Sequence, residues 1–170
     1  VNADQVVILP NNKNIIPVAE QVGALTAKAV LVVPTRTMPE ALAALVVYDP
    51  EADGDANVDE MVAAIESVRT GEVTQAVRAS GSDAGPIAVG DWMGLVRGDG
   101  IVAVDAELLP ATRRLLDRLI NEPLRAELLT VITGSDADPA DTTSIEAWLA
   151  EAHPDVQVEV HRGGQPLYPY

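Results

Sequence analysis

The strongest candidate for chemistry in this sequence is a run of polar side chains, Asn11, Asn12, Lys13 and Asn14. It follows the apolar residues 6–9 and leads into a helical pattern over residues 15–29. A strand, a polar turn and a helix in this order place side chains and helix-start N–H groups where open α/β sheets bind ligands. Amides with one cation suit an anion, a carboxylate or a partner's backbone. Asparagine is also a good turn and capping residue, so both interpretations stay open.

A second polar turn, Thr35, Arg36 and Thr37, follows the next apolar run, residues 29–33. Parallel neighbouring strands bring their carboxyl ends to one edge of a sheet. We therefore expect Lys13 and Arg36 to project at the same edge, as a local basic point in a very acidic chain. Arg78, in an irregular middle segment, is a further candidate for this surface. The alternative is that Thr37 only caps a helix and that Arg36 is solvated.

The spacing of apolar residues predicts an α/β fold with a mostly parallel sheet flanked by helices. A small antiparallel β meander over residues 72–104 is expected as an insertion in a single α/β domain, residues 1–170. Predicted strands are 5–9, 29–33, 127–133 and 156–160. Predicted helix starts are capping boxes at Thr37 with Glu40 and at Asn57 with Glu60, and an N-cap at Asp138 before Pro139. The helix after Thr37 carries its apolar residues at Leu42, Leu45 and Val46.

Composition excludes several classes of function. The net charge is −15, which repels nucleic acid phosphates and anionic membrane surfaces. Cysteine is absent, so neither a disulfide nor a thiolate site can form. No apolar run approaches the length of a membrane span, which is about 20 residues, and we expect a cytoplasmic protein. The opening residues do not resemble a native start, so we expect a domain excised from the C-terminal part of a longer protein.

Catalytic and metal sites are not expected. Residues 49–60 match the oxygen pattern of a twelve-residue calcium loop, but Glu51 and Ala56 depart from it and no second loop exists to pair with it. The sequence therefore favours a solvated acidic loop. His153 and His161 lie at a predicted helix end and strand end, without the ligands that zinc requires; a general acid/base role for His161 is the less favoured alternative. No phosphate loop or nucleophile elbow is present, so we expect no phosphoryl transfer.

Several segments together resemble the C-terminal domain of the A-type subunit of the bacterial fatty-acid kinase, a family also described as dihydroxyacetone-kinase-like or Dak-phosphatase proteins. The resemblance covers nearly the whole chain. It is carried by residues 9–15 (LPNNKNI), 33–37 (VPTRT), 39–45 (PEALAAL), 71–78 (GEVTQAVR) and 161–168 (HRGGQPLY). The last of these segments adds three candidate site residues, Gly163, Gly164 and Gln165.

The resemblance implies the two-lobed α/β fold of the DegV family and of the dihydroxyacetone-kinase K subunit. It implies a non-catalytic domain that docks an acyl-carrying, fatty-acid-binding subunit for phosphorylation by an absent N-terminal kinase domain. ATP and Mg would belong to that kinase domain, this fragment would hold no cofactor, and the full-length protein could form a homodimer. One alternative is a domain that binds a small molecule or fatty acid on its own, or a dihydroxyacetone-kinase-like protein that acts on its own. The other is a hydrolase or phosphatase, for which the sequence offers neither a nucleophile nor a metal cluster.

Overall fold

The computed structural model describes residues 2–122 and 125–170. The chain divides into two compact units between Thr70 and Gly71. The fold class is mixed α/β, with parallel strand pairs and a small antiparallel meander, as the sequence predicts. The single domain over residues 1–170 and the likeness to the DegV fold stay predictions.

The first unit is built on two parallel strands, β1 and β2, that pair from Gln5 with Ala29 to Ile8 with Val32. Its core is formed by residues of β1, α2 (Met38–Val46) and α3 (Gly54–Ser67) around the fully buried Val33, which directly follows β2. In chain order the elements are β1 (Gln5–Ile8), α1 (Ile16–Glu20), a 3-10 helix (Val22–Leu25), β2 (Ala29–Val32), α2 (Met38–Val46) and α3 (Gly54–Ser67).

Two helices of this unit differ from their predicted bounds. The helix expected over residues 15–29 is the short α1 followed by a 3-10 turn, in which Gly23 weakens helix formation by about 1 kcal/mol relative to alanine. The capping box at Asn57 and Glu60 is wrong: α3 begins at Gly54, and its N-cap is Asp53, whose carboxylate accepts a hydrogen bond from the Asp55 N–H.

The second unit contains the predicted meander, in which β6 (Trp92–Val96) pairs antiparallel with both β3 (Gly71–Gln75) and β7 (Gly100–Asp105). A separate two-stranded hairpin, β4 with β5, lies between β3 and β6 in the chain. The parallel strands β8 and β9 pair from Leu128 with Gln157 to Thr133 with Arg162. In chain order the elements are β3 (Gly71–Gln75), β4 (Ser80–Ser82), β5 (Gly85–Ile87), β6 (Trp92–Val96), β7 (Gly100–Asp105), α4 (Leu108–Asn121), β8 (Leu128–Thr133), α5 (Pro139–Ala152) and β9 (Gln157–Arg162).

Helix α4 contributes side chains to two hydrophobic cores in the second unit. Its Leu115 packs with Val73 and Val96 of the meander, whereas its Leu116 and Ile120 pack with residues of α5 and β9. The predicted start of α5 is confirmed, because the Asp138 carboxylate accepts a hydrogen bond from the Ala140 N–H at 2.8 Å. The parallel strand pairs of the two units are separate sheets, so the parallel part of the fold is two pairs of strands.

Candidate functional site

The two polar turns of the first unit are joined by a pair of hydrogen bonds. The Asn11 N–H donates to Thr35 Oγ1 at 3.1 Å, and the Thr35 hydroxyl donates to Asn11 Oδ1 at 2.8 Å. Thr35 is fully buried, and Asn11 adopts a left-handed backbone conformation with φ +56°, which asparagine tolerates better than most residues. Because β1 and β2 pair in parallel, the two turns that follow them lie together at the carboxyl ends of the strands.

The remaining residues of the first turn are exposed. Asn12 supports the turn itself, since its Oδ1 accepts from the Asn14 N–H at 2.8 Å and its backbone carbonyl accepts from Ile15. The Lys13 side chain forms no ion pair with any residue that the structure describes. The turn therefore offers an ammonium to solvent.

Arg36 is held at its backbone by a buried carboxylate. Its N–H donates to Glu40 Oε2 at 2.6 Å, and Glu40 is fully buried in α2. The Glu40 N–H in turn donates to the Thr37 hydroxyl at 3.4 Å, so Thr37 is the N-cap that the sequence predicts. The reciprocal half of the capping box differs, because the carboxylate accepts from Arg36 rather than from Thr37. This fixes the backbone of the second turn and leaves the Arg36 side chain exposed.

The four other sequence candidates lie in the second unit. Arg78 is exposed and follows β3, outside any strand. Gly163 and Gly164 both donate their N–H groups to the Thr133 carbonyl, at 2.9 and 3.0 Å. Gln165 donates from its side-chain amide to two backbone carbonyls, so these three residues hold the C-terminal segment across the end of β8. Their role in binding a partner or ligand stays a prediction.

An open cleft of about 510 Å³, which sequence reasoning did not predict, lies at the carboxyl ends of β8 and β9. Its polar lining includes Thr133, Ser135, Thr142, His161 and Arg162. The hydroxyls are engaged within the fold, as in the 3.0 Å contact of Thr142 with the Tyr170 hydroxyl. A position directly after a parallel strand is the only sequence signal for such a cleft. The sequence does not show at which strand ends the surface is concave.

The two histidines occupy different environments. His153 is buried at the end of α5, where Nε2 lies 2.7 Å from Asp117 Oδ1 and the ring packs edge-on against Trp148. These contacts give it a structural role. His161 is exposed in β9 with Glu159 at 3.5 Å. Within residues 2–122 and 125–170, no group of three or more histidine, aspartate or glutamate side chains could hold a metal ion.

The side-chain amide of Asn57 holds the acidic stretch over residues 49–60 by hydrogen bonds to the backbone of Asp49. Asn57 is buried, and its side chain accepts from the Asp49 N–H and donates to the Asp49 carbonyl, both at 2.8 Å. Residues 54–60 are helical, whereas a calcium loop keeps its ligand positions in an open turn up to its final residues. The contacts of Asn57 describe a loop held by hydrogen bonds.

The Glu72 carboxyl is half-buried in β3, and burial raises its pKa above the ordinary value of 4.5. Its negative charge, together with burial, raises the pKa of the Tyr168 phenol. A raised carboxyl pKa means that the folded state binds more protons than the unfolded state above about pH 4.5, so stability falls as the pH rises through that window.

Replacement of Glu72 by glutamine should therefore stabilise the protein at about pH 7 and change little at about pH 4. The same replacement should lower the Tyr168 pKa, because the neighbouring charge is removed. Urea unfolding at both pH values and absorbance titration of tyrosinate measure the two effects. Equal stabilisation at both pH values would show that the carboxyl charge is not the cause.

These turns and strand pairs define the class of the protein as an α/β domain with polar strand-end turns. Among the described residues, no helix is long and apolar enough to cross a membrane. Comparison with known families then identifies it: residues 1–170 match the model of the FakA-like C-terminal family, the C-terminal domain of fatty acid kinase A-like subunits, and the chain belongs to that family.

Relatives of known sequence are much longer than this chain. It is 39% identical to Protein YloV of Bacillus subtilis over 170 residues, which is all of this chain and 30% of that protein. It is 41% identical over 164 residues to an uncharacterized protein of Staphylococcus epidermidis, covering 96% of this chain and 29% of the relative. An uncharacterized protein of Staphylococcus aureus is 39% identical over the same length. The chain therefore spans about 30% of the curated relatives that it matches.

Proposed function

We propose that this chain is a non-catalytic docking domain of a two-component fatty-acid kinase. It positions an acyl-carrying subunit for phosphorylation by a kinase domain that lies elsewhere in the full-length protein. ATP and Mg would bind that domain. The complete protein would act in the cytoplasm, and the full-length chain would form a homodimer. The observation that carries the proposal is membership of the FakA-like C-terminal family of fatty acid kinases over all 170 residues.

The geometry of the first unit supports a docking role. Asn11 and Thr35 tie the two strand-end turns together, so Lys13 and Arg36 extend from a fixed backbone. Exposed cations on a fixed backbone suit recognition of a partner's carboxylates, because the backbone of the turns needs little ordering on binding. In a chain with a net charge of −15, these two cations can attract an acidic group of a partner.

The alternative, a domain that binds a fatty acid by itself, is less well supported by the cleft in the second unit. A pocket for an acyl chain needs a mostly apolar lining with few polar groups at its mouth. The cleft after β8 and β9 is open, and beside small and apolar residues its lining includes four hydroxyl side chains together with His161 and Arg162. Those groups suit a small polar ligand better than an acyl chain.

The test is the affinity of the 170-residue chain for a purified acyl-carrying subunit from the same organism. We expect wild-type binding, and about tenfold weaker binding when Lys13 and Arg36 are both replaced by alanine. The effect is moderate because both side chains are exposed and rim charges contribute little. Calorimetric titration measures the affinity, and a melting curve checks the fold.

A matched control replaces two other exposed cations, Arg114 and Arg125, with the same change in net charge. This control should bind within about twofold of wild type, because ion pairs between exposed side chains contribute little and neither arginine belongs to the two turns. Unchanged affinity of the Lys13 and Arg36 variant would remove these turns from the docking surface. Lack of binding by the wild-type chain would contradict the proposed function itself.

A further inference from the structure

Helix α2 of the first unit packs with its small side chains inward and its large aliphatic side chains outward. Ala41 and Ala44 are 6% and 0% exposed, whereas Leu42 and Leu45 are 48% and 54% exposed. An amphipathic helix normally covers its largest apolar residues against the core. The sequence places the apolar residues Leu42, Leu45 and Val46 on this helix, and all three are exposed to solvent.

The exposed aliphatic side chains form a stripe along α2. Residues 38, 42 and 45 are spaced four and three apart, so they lie on one side of the helix over about 10 Å. The stripe continues beyond the end of the helix. Its members, which we call the α2 face, are Met38, Leu42, Leu45, Val46, Val47 and Tyr48. Contiguous exposed apolar surface rimmed by polar groups is typical of a protein interaction site.

The exposed charged side chains that flank the α2 face in the sequence are mostly carboxylates. Arg36 precedes the helix, and no Lys, Arg or His occurs between it and Arg69. The loop and helix start that follow the face carry four exposed carboxylates, Asp49, Glu51, Asp53 and Asp55. None of the four forms an ion pair with another residue in the described part of the chain. An apolar stripe that is followed at its C-terminal end by unneutralised carboxylates complements a surface with an apolar centre and basic residues beside it.

We propose that the α2 face is where the partner protein docks, and that the partner presents an apolar patch bordered by Lys or Arg. The inference rests on the proposed function for the identity of that partner, the acyl-carrying subunit. Beyond the two cations of the strand-end turns, the inference adds an apolar docking surface and the positive charge of the partner's surface that binds it.

A second copy of this chain fits the α2 face less well. It would supply one further Arg36, but it would also bring four more carboxylates from its own acidic stretch. Each copy carries a net charge of −15, so association of two copies works against long-range repulsion. A separate partner with basic residues avoids both costs.

The first test replaces Leu42 and Leu45 together by serine. Both side chains are about half exposed, so the fold should be retained. We expect about tenfold or greater loss of affinity for the acyl-carrying subunit, because the centre of the apolar contact is removed. The matched control replaces Val77 and Val89 of the second unit, which are 91% and 68% exposed, by serine and should bind within about twofold of wild type.

A second variant tests the charge of the rim without altering the α2 face. Glu51→Gln together with Asp55→Asn should weaken binding several-fold at low ionic strength. The difference should fade at about 1 M salt, where the screening length is about 3 Å. Unchanged affinity at low salt would overturn the basic rim of the partner. This measurement also tests the location of the docking surface if the leucine variant melts at a lower temperature and its affinity cannot be interpreted.

The outcomes separate this inference from the proposed function. Wild-type binding with an equally tight leucine variant would overturn the α2 face and leave the docking function standing. Absence of wild-type binding would remove the proposed function and this inference with it. Light scattering that finds a dimer of the wild-type chain, but a monomer of the leucine variant, would assign the α2 face to a second copy and overturn the proposal.

Discussion

Gly134→Ala is expected to lower the free energy of unfolding by about 3 kcal/mol, because overpacking against backbone atoms cannot be relieved by rotating a side chain. A Cβ at this position would lie 2.2 Å from the Tyr168 carbonyl oxygen and 2.7 Å from that of Gln165. The Gly134 N–H also donates to the Pro169 carbonyl at 3.0 Å. The added methyl group must therefore push away the segment that the glycine binds.

The displacement should extend beyond the end of β8. The same C-terminal segment accepts a hydrogen bond from the Val73 N–H at the Tyr170 carbonyl, at 2.8 Å, and the Tyr170 ring packs against both cores of the second unit. Moving this segment therefore disturbs β3 as well as β8. Loss of stability measured by urea unfolding should be accompanied by faster hydrogen exchange at the Val73 amide.

Gly81→Ala is the matched control for this prediction. Gly81 lies in the short hairpin strand β4, and a Cβ there would meet no atom within 4 Å. Its replacement should change the free energy of unfolding by less than about 1 kcal/mol. Equal stability of the two variants would show that the C-terminal segment can move aside at little cost, contrary to the packing around Gly134.

Asn57→Ala is expected to cost about 2 kcal/mol or more. Its side chain bonds the N–H and carbonyl of Asp49 at 2.8 Å and reaches the carbonyls of Ala52 and Asp53 at 3.3 Å. Alanine would leave the Asp49 backbone groups without these partners at a position where the side chain is 4% exposed. Unsatisfied polar groups in such sites cost about 1–3 kcal/mol each, less whatever water can recover.

Two variants make the Asn57 experiment specific. Asn57→Asp keeps the oxygen that accepts from Asp49 but replaces the donating amide by a carboxylate facing carbonyl oxygens, so it should also destabilise. Asp59→Ala, at an exposed position of the same helix, should stay within about 0.5 kcal/mol of wild type. Urea unfolding ranks the three variants. Wild-type stability of the alanine variant would show that the loop does not depend on the amide.

The strands and several helix starts are predictable from local sequence because the signals there have few competing interpretations. Apolar runs that stop at Pro10 and Pro34 give β1 and β2 to within about two residues, since proline ends strand pairing. Asp138 followed by Pro139 combines a cap with a residue suited only to the first turn. The start of α3 is not predictable in this way, because Asp53 and Asn57 are both good capping residues.

For the polar turns, the sequence predicts which residues come together but not how they are buried or held. The approach of Asn11 and Thr35 follows from the parallel order of consecutive strands, which local pattern can predict. Two features depend on tertiary packing and could not be foreseen: the complete burial of Thr35, and the Glu40 carboxylate reaching the Arg36 backbone. The spacing of Leu42 and Leu45 likewise indicates an apolar side of α2 without showing whether the protein itself covers it.

The outward leucines of α2 also bear on how this protein behaves at high concentration. Burying them in another copy would be favourable by itself, and the surplus of carboxylates is what opposes such contacts at neutral pH. As the pH falls toward the isoelectric point of about 4.2, this repulsion disappears while the aliphatic surface is unchanged. At acidic pH we therefore expect the exposed leucines of α2 to promote aggregation. The same carboxylates that take part in partner recognition then also keep the protein soluble at neutral pH.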